Sequence, residues 1–367
     1  MRVGVDMSIL RHPFAGSARW AIGLVESLRR EQDVQLTEWM GPRRIARGGA
    51  ARKVLNLLRE RAWYDIGLPR AASRAHSDVL LMPANLTCDR TVLPQVVTIL
   101  DVNFLTQPGT YDRGYTRYAL REFSLSARRA TRVTTPSWHS RSEIACHLDI
   151  DPTRIDVVYP GLTPPPSIPT PPRPLEPPYA LYVGAIEPHK DIPTAVRAWR
   201  HLTDTPLSLA IVGQPGRDQA RVESLAQESG RRVIVVGRVT DAELEAWYRN
   251  AALFIFPSRA EGFGYPPLEA MLRGVPVVAA RAASLPEILG DAALYFEAGQ
   301  DEELAGAVRR ILSDRVLRSR LIEDGRSRGA EFTWQRTASA MLQILREAAG
   351  TGEAGACPFW QRTIRTQ

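Results

Sequence analysis

Short runs of apolar, often β-branched residues alternate through the second half of the chain with amphipathic stretches of helical length. The runs predict strands at 179–183, 207–212, 233–236, 253–256, 275–279 and 293–296, with helices over about 191–202, 217–229, 241–250 and 266–273 between them. Runs of four to six residues that are apolar almost throughout, rather than at every second position, fit strands buried on both faces. Strands of that kind belong to a parallel sheet covered by crossover helices. The first half repeats the rhythm less regularly, with strands near 3–7, 34–39, 79–82, 96–100, 133–135 and 155–159 and helices near 17–30, 51–62, 113–130 and 138–147. The expected fold is therefore α/β, with two doubly wound, Rossmann-like domains.

Proline divides the halves. It supplies ten of the twenty residues from Pro160 to Tyr179, a density that neither a helix nor a central strand survives. The expected organisation is a domain at 1–160, a semi-rigid proline-rich linker at 161–178, a second domain at 179–349 facing the first across a cleft, and a mobile tail at 350–367. With 367 residues, 44% apolar and 24% charged, the composition is that of an ordinary two-domain globular chain. No apolar run approaches the roughly 18 residues of a membrane span. The three cysteines, Cys88, Cys146 and Cys357, are spaced for neither a disulfide framework nor a metal site. With a first strand where a signal core would stand, the expectation is a cytoplasmic protein, at most peripheral at the inner face of a membrane.

Residues 1–178 carry 24 Lys+Arg against 17 Asp+Glu, and the remainder 23 against 23, so the formal +7 resides in the first half. Lys53 and Lys190 are the chain's two lysines. In so arginine-biased a sequence, a lysine at the start of a predicted helix draws attention.

The chemistry concentrates at residues 257–279. A buried strand delivers the glycine loop Glu261-Gly262-Phe263-Gly264-Tyr265, then a helix with Pro266 and Pro267 in its first turn, where missing N–H groups cost least. Seven residues lie between Glu261 and Glu269. Backbone N–H groups after the two glycines would receive a diphosphate or sugar oxygens, and the carboxylates would accept hydrogen bonds from sugar hydroxyls.

The stretch EGFGYPPLEA resembles the signature of retaining nucleotide-sugar glycosyltransferases of the GT-B fold, glycosyltransferase family 4. YVGAIEPHKD at 182–191, IVGQPG at 211–216, GVPVVAA at 274–280, SLPEILGDAALYF at 284–296 and FTWQRTA at 332–338 match in the family's order. Looser matches in the first half are a glycine turn at Gly16, WYDIGLPR at 63–70, TILDVNFL at 98–105, PSWHSRSEI at 136–144 and VVYPG at 157–161. The resemblance implies a metal-independent hexosyltransferase that needs no cofactor, its co-substrate being a nucleoside-diphosphate sugar. It assigns Glu269 to the ribose hydroxyls, Glu261 to the transferred sugar and Lys190 to the diphosphate. It also brings Gly16 and Gly184 to the donor. A cation placed where the leaving group gains charge agrees with elementary electrostatics.

Two positions depart from the family. Ala185 stands where an arginine often follows the glycine, leaving Arg217 and Arg238 as candidates for a second diphosphate cation. Leu100 stands where a histidine usually precedes Asp101, so Asp101 is kept either as a sugar contact or as a strand-end cap. Asp149-Ile-Asp151 has a metal-like spacing but precedes Pro152, and reads better as a turn. His189 is the one histidine beside the expected site.

The basic excess collects at Arg43, Arg44, Arg47, Arg52, Lys53, Arg59 and Arg61, around Val54, Leu55, Leu57 and Leu58. It also forms a stripe at Arg113, Arg117 and Arg121. Such a surface is either a solvated face or an attractor for phosphate-bearing acceptors and anionic headgroups.

The principal expectation is transfer of mannose, glucose, rhamnose or a related sugar to a hydroxyl acceptor, phosphate-bearing or lipid-linked, with no nucleic-acid partner. The competing readings are a basic nucleic-acid- or membrane-binding protein with a vestigial site, and an epimerase or phosphorylase of similar architecture. A nicotinamide dehydrogenase is disfavoured, because the first strand is not followed by G-x-G-x-x-G.

Overall fold

The computed structural model describes residues 1–11, 15–43, 45, 49–107, 109–166, 175, 176 and 178–350. Residues 167–174 and 177 of the expected linker, residues 351–367 of the expected tail, Arg44, Arg47 and the side chain of Lys53 lie outside it. The chain divides into two compact units. One comprises Met1–Leu105, Asp112–Gly161 and the chain from Thr333 onward, the other Thr106–Tyr111 and Leu162–Phe332.

The first unit holds the parallel strands β1 (Arg2–Asp6), β2 (Gln35–Trp39), β3 (Val79–Met82), β4 (Gln95–Thr98), β5 (Arg132–Thr135) and β6 (Ile155–Val157), in the order β2-β1-β3-β4-β5-β6. VLLM and QVVT are buried at every position and occupy the middle; QLTEW is half-exposed and takes an edge.

The second unit holds β7 (Tyr179–Val183), β8 (Ser208–Val212), β9 (Val233–Gly237), β10 (Leu253–Phe256), β11 (Val277–Ala280) and β12 (Ala293–Phe296), in the order β12-β11-β10-β7-β8-β9, again all parallel. The chain winds outward from β7 to β9, then restarts at β10 on the other side of β7. Between β7 and β10 the strand order reverses, and in sheets of this class ligands bind beyond the strand carboxyl ends at such a reversal. The two parallel, doubly wound sheets bear out the expected fold class.

The expected domain end at 349 is corrected. The last helix, Trp334–Ala348, packs on the first unit, where Met341, Leu342 and Leu345 share a core cluster with Trp20, Leu24 and Leu28 of helix Ala15–Leu28. Thr337 donates its hydroxyl to the Tyr159 carbonyl at 2.8 Å. The Trp334 ring lies so close to Gly23 that a Cβ there would fall 2.1 Å from it. A helix shows the same apolar stripe whichever sheet it covers, so periodicity alone could not say which unit would bury this one.

Helices Asp301–Ser313 and Arg315–Ala330 complete the second unit. Gly325 and Gly329 of the latter lie against Met271 and Leu272, which seats the helix carrying Glu269.

Candidate functional site

Three loops leave the carboxyl ends of β7, β8 and β10. After β7, Gly184 donates its N–H to the Val212 carbonyl at 3.0 Å, and a 3₁₀ turn at Pro188–Lys190 leads to Asp191, in the left-handed region at φ 47°. The loop after β8 presses onto it: a Cβ on Gly213 would stand 1.9 Å from the Gly184 carbonyl oxygen. No side chain fits there. After β10, Arg259 donates its N–H to the His189 carbonyl at 2.9 Å and its Nε to Asp191 Oδ2 at 2.8 Å. The loops on either side of the strand-order reversal are thus stitched together.

Across this seam Lys190 Nζ donates to Glu261 Oε1 at 2.5 Å. The two side chains are 18% and 12% exposed, enough to reach solvent but not to be fully hydrated. Lys190 Nζ also stands 5.7 Å from the centre of the Phe256 ring. The pair joins the two residues that the family resemblance assigns to diphosphate and sugar.

The glycine loop is held from behind. Ser284 Oγ donates to the carbonyls of Glu261 at 2.9 Å and Phe263 at 3.3 Å. Phe263 is buried edge-on between Tyr265 and Phe332, at 5.2 and 5.4 Å between ring centres. Gly264, at φ 97°, takes a conformation that L side chains resist and starts the helix Tyr265–Leu272. On that helix Glu269 Oε2 accepts from the Tyr248 hydroxyl at 3.0 Å, and its carbonyl accepts from Arg273 Nη1 at 2.9 Å. Arg273 also donates to Glu245 Oε2 at 2.6 Å and covers the Tyr248 ring at 4.9 Å. Burial raises the Glu245 carboxyl, but the hydrogen bonds from Arg273 and Arg249 outweigh it and hold the group below the usual carboxylate range. Tyr248, Glu245 and Arg273 were not singled out from sequence; the only signal was the i, i+4 spacing of Glu269 with Arg273 and of Glu245 with Arg249.

His189 is pushed down to about 4, first by burial and then by the neighbouring Lys190 charge, so at neutral pH it adds no cation. Its ring stacks on Tyr111 of the same unit. Arg217 follows β8 and donates its Nε to Glu187 Oε2 at 2.7 Å, with its guanidinium 5.3 Å from the Tyr111 ring centre. Arg238 is exposed after β9, the edge strand two places from β7. Of the arginines near the Lys190 turn, Arg259 makes the direct contacts to it, and it was visible only as an unassigned residue before the glycine loop.

Two expected site residues belong to the other unit. Asp101 Oδ1 accepts from the Asn103 N–H at 3.0 Å, capping the helical turn Asn103–Thr106. Gly16 is the second residue of helix Ala15–Leu28, exposed and with nothing within 4 Å of an added Cβ. The turn expected at Gly16 is therefore corrected to a helix. Asp149 takes the left-handed residue that ends helix Trp138–Leu148, and Asp151 accepts from the Thr153 N–H, so this acid pair forms caps. Among the described residues no group of three His, Cys, Asp or Glu side chains is disposed to hold a metal ion.

Residues 167–328 match the family described as glycosyl transferases group 1. O-antigen chain mannosyltransferase B of Escherichia coli is 29% identical over 279 residues, covering 72% of this chain and 73% of that protein. Among solved structures, sucrose-phosphate synthase from Thermosynechococcus elongatus superposes at a TM-score of 0.76 with 18% identity, over 96% of this chain and all of that one. Anabaena Alr3699/HepE in complex with UDP and glucose superposes at 0.68 with 17% identity, over 95% of this chain and all of that one.

Proposed function

We propose, for a chain that belongs to the group 1 glycosyl transferases through residues 167–328 and has the GT-B fold, that it moves a hexose, mannose foremost, from a nucleoside-diphosphate sugar to a hydroxyl of a growing saccharide. The observation that carries the reading is the Lys190–Glu261 contact of 2.5 Å at the reversal between β7 and β10. An ammonium and a carboxylate that hold each other at the edge of solvent can exchange partners at little cost. The ammonium turns to a diphosphate and the carboxylate to sugar hydroxyls. The E. coli mannosyltransferase relative favours mannose.

In this reading Glu269, oriented by the Tyr248 hydroxyl, takes the ribose hydroxyls. The bond between the anomeric carbon and the diphosphate oxygen breaks and Lys190 offsets the charge left on the diphosphate. The acceptor oxygen bonds to the anomeric carbon from the same face, retaining its configuration, and the acceptor's proton passes to the departing phosphate. No metal or cofactor enters the proposed step.

The test pairs binding with turnover. A thermal-shift screen with UDP, GDP, TDP and ADP and their sugars identifies the base, since a ligand bound only by the folded chain raises its melting temperature. Glu269→Ala should abolish that shift. Lys190→Met should lower kcat for nucleoside-diphosphate release to an acceptor by roughly 10²–10³-fold, the usual loss when one stabilising donor is removed. A wild-type shift without any release of nucleoside diphosphate would leave a binder and overturn the transfer reading.

A further inference from the structure

One residue of the loop after β10 grips Lys190 on both flanks. Arg259 donates its backbone N–H at 2.9 Å to the carbonyl of His189, just before the lysine, and its Nε at 2.8 Å to Oδ2 of Asp191, just after it. Two residues further along the same loop stands Glu261, the carboxylate that Lys190 meets. The Asp191 side chain is 9% exposed and accepts a second hydrogen bond, from the Thr194 hydroxyl at 2.8 Å. That hydroxyl accepts in turn from Arg197 Nη2 at 2.9 Å.

Neither ordinary reason for an aspartate at such a point applies. Before a helix an aspartate usually accepts from the free N–H groups of the first turn, but Asp191, which precedes helix Ile192–His201, makes no such side-chain bond. At φ 47° and ψ 38° its backbone is left-handed, a conformation in which glycine is the comfortable residue. A side chain is thus kept where both the backbone and the helix could do without it. What the carboxylate does hold is the Thr194 hydroxyl and the Arg259 guanidinium. Without those donors it would be a buried, uncompensated charge, so this contact resists opening in a way that a fully exposed ion pair does not. It couples the turn that carries Lys190 to the loop that carries Glu261.

We propose that Asp191 and Arg259 are positioning residues: their contact fixes the backbone on either side of Lys190 and so places its ammonium for the departing diphosphate. The kinetic part rests on the transfer reading above; the structural part does not. Lys190 and Lys53 are the chain's two lysines. Trace acetylation of the native full-length chain, read by mass spectrometry for Lys190 relative to Lys53, therefore reports how tightly Lys190 is held without any turnover. Arg259→Met keeps the backbone bond to His189 and loses the one to Asp191, and it should raise Lys190 labelling several-fold. Asp191→Gly is the sharper variant. Glycine would replace a mere turn residue here without loss, so the melting temperature should hold or rise while Lys190 labelling still climbs several-fold. In both variants kcat for nucleoside-diphosphate release should fall about tenfold, part of the roughly 10²–10³-fold that one stabilising donor supplies. KM for the donor should stay within about twofold, because the charge that Lys190 offsets grows as the bond breaks. In a Lys190→Met background Arg259→Met should lower kcat no further, since a residue acting through the lysine has nothing left to place. Lys190 labelling at the wild-type level in both variants would overturn the proposal. So would a full further loss of kcat from Arg259→Met in the Lys190→Met chain, which would make Arg259 a direct substrate contact. Absence of nucleoside-diphosphate release by the wild type would strike the transfer reading instead, and the labelling would still decide whether Asp191 and Arg259 hold Lys190.

Discussion

At the carboxyl ends of the two sheets one backbone plan carries opposite electrostatics. In the second unit the strand-order reversal is bordered by an ammonium and a carboxylate in contact, both within reach of solvent. In the first unit the end of β1 carries Asp6, which is 5% exposed. It accepts from the Ser8 N–H and hydroxyl, from Trp63 Nε1 at 3.3 Å and from the Tyr64 hydroxyl at 2.9 Å. Those donors are neutral. A half-open ion pair is a device for changing partners, because either member can be satisfied by water or ligand when the other leaves. A sealed carboxylate fed by neutral donors is a clamp. Asp6 ties the turn Trp63–Gly67 to β1, and losing it would strand four donors, three of them buried. Position on the sheet therefore does not make a binding site; access and the sign of the neighbours do.

The comparison is broken most severely at Gly213. In the second unit the loop that carries Lys190 lies against the loop after β8 where Gly213 has no side chain, so Gly213 helps to set where Lys190 meets Glu261. Gly213→Ala must displace the Gly184 carbonyl, and it should cost about 3 kcal/mol or more, the upper end for forced overpacking. It should also raise the KM for donor before it lowers kcat. Denaturant melts and a donor titration read both effects. A Gly213→Ala chain of wild-type stability would mean that the loop crossing is slack and that the ion pair is positioned by something else.

pH sharpens the comparison because the two buried groups respond with opposite sign. His189 titrates near 4 in the folded chain, against its ordinary 6.5. Between those values the unfolded chain binds a proton that the folded chain refuses, so stability falls as pH drops through that window. The contribution is at most about 3 kcal/mol. Asp6 is raised above its ordinary 3.8, by burial against the lowering effect of its hydrogen bonds. Above 3.8 the folded chain holds its proton longer than the unfolded one, so acidification favours folding there. In urea melts at pH 4.5, 5.5 and 6.5, His189→Asn should flatten the loss of stability in acid, and Asp6→Asn should steepen it. Slopes that move in the same direction would remove the contrast between the two ends.

How much of this could be read in advance follows from what each residue encodes locally. LFIF before a glycine loop can only be a strand buried on both faces, so it announced both β10 and the fact that Glu261 sits just beyond a carboxyl end. The order in which strands lie side by side is not local, yet alternation with helices restricts it so strongly that a doubly wound sheet was legible. The supports of the site were not. Tyr248 reaches Glu269 across 21 residues and Ser284 reaches the Glu261 carbonyl across 23, and no periodicity records such a meeting. Asp6 was hidden for the same reason, its partners at 63 and 64 lying far along the chain. Arg259 was passed over because arginine is common here, whereas Lys190 was noticed because lysine is rare.

The smallest expected effect tests a residue whose expected role the structure does not explain. Gly16 was grouped with the donor site as a turn glycine, but it lies in the first unit, inside the first turn of Ala15–Leu28, with open space where a side chain would stand. A helical glycine in open space contributes only backbone entropy to the unfolded state, so Gly16→Ala should stabilise the chain by about 0.5–1 kcal/mol. Donor-induced thermal shift and kcat should stay at wild-type values. If stability rises as expected while donor affinity falls several-fold, the space beside Gly16 is needed by a bound molecule, and the missing Cβ serves the ligand rather than the fold. If stability falls instead, the helix begins later than Ala15 and the glycine is a turn residue after all. Set beside Gly213→Ala, this substitution separates the two reasons a chain keeps a glycine, backbone that would otherwise collide and surface that something else must approach.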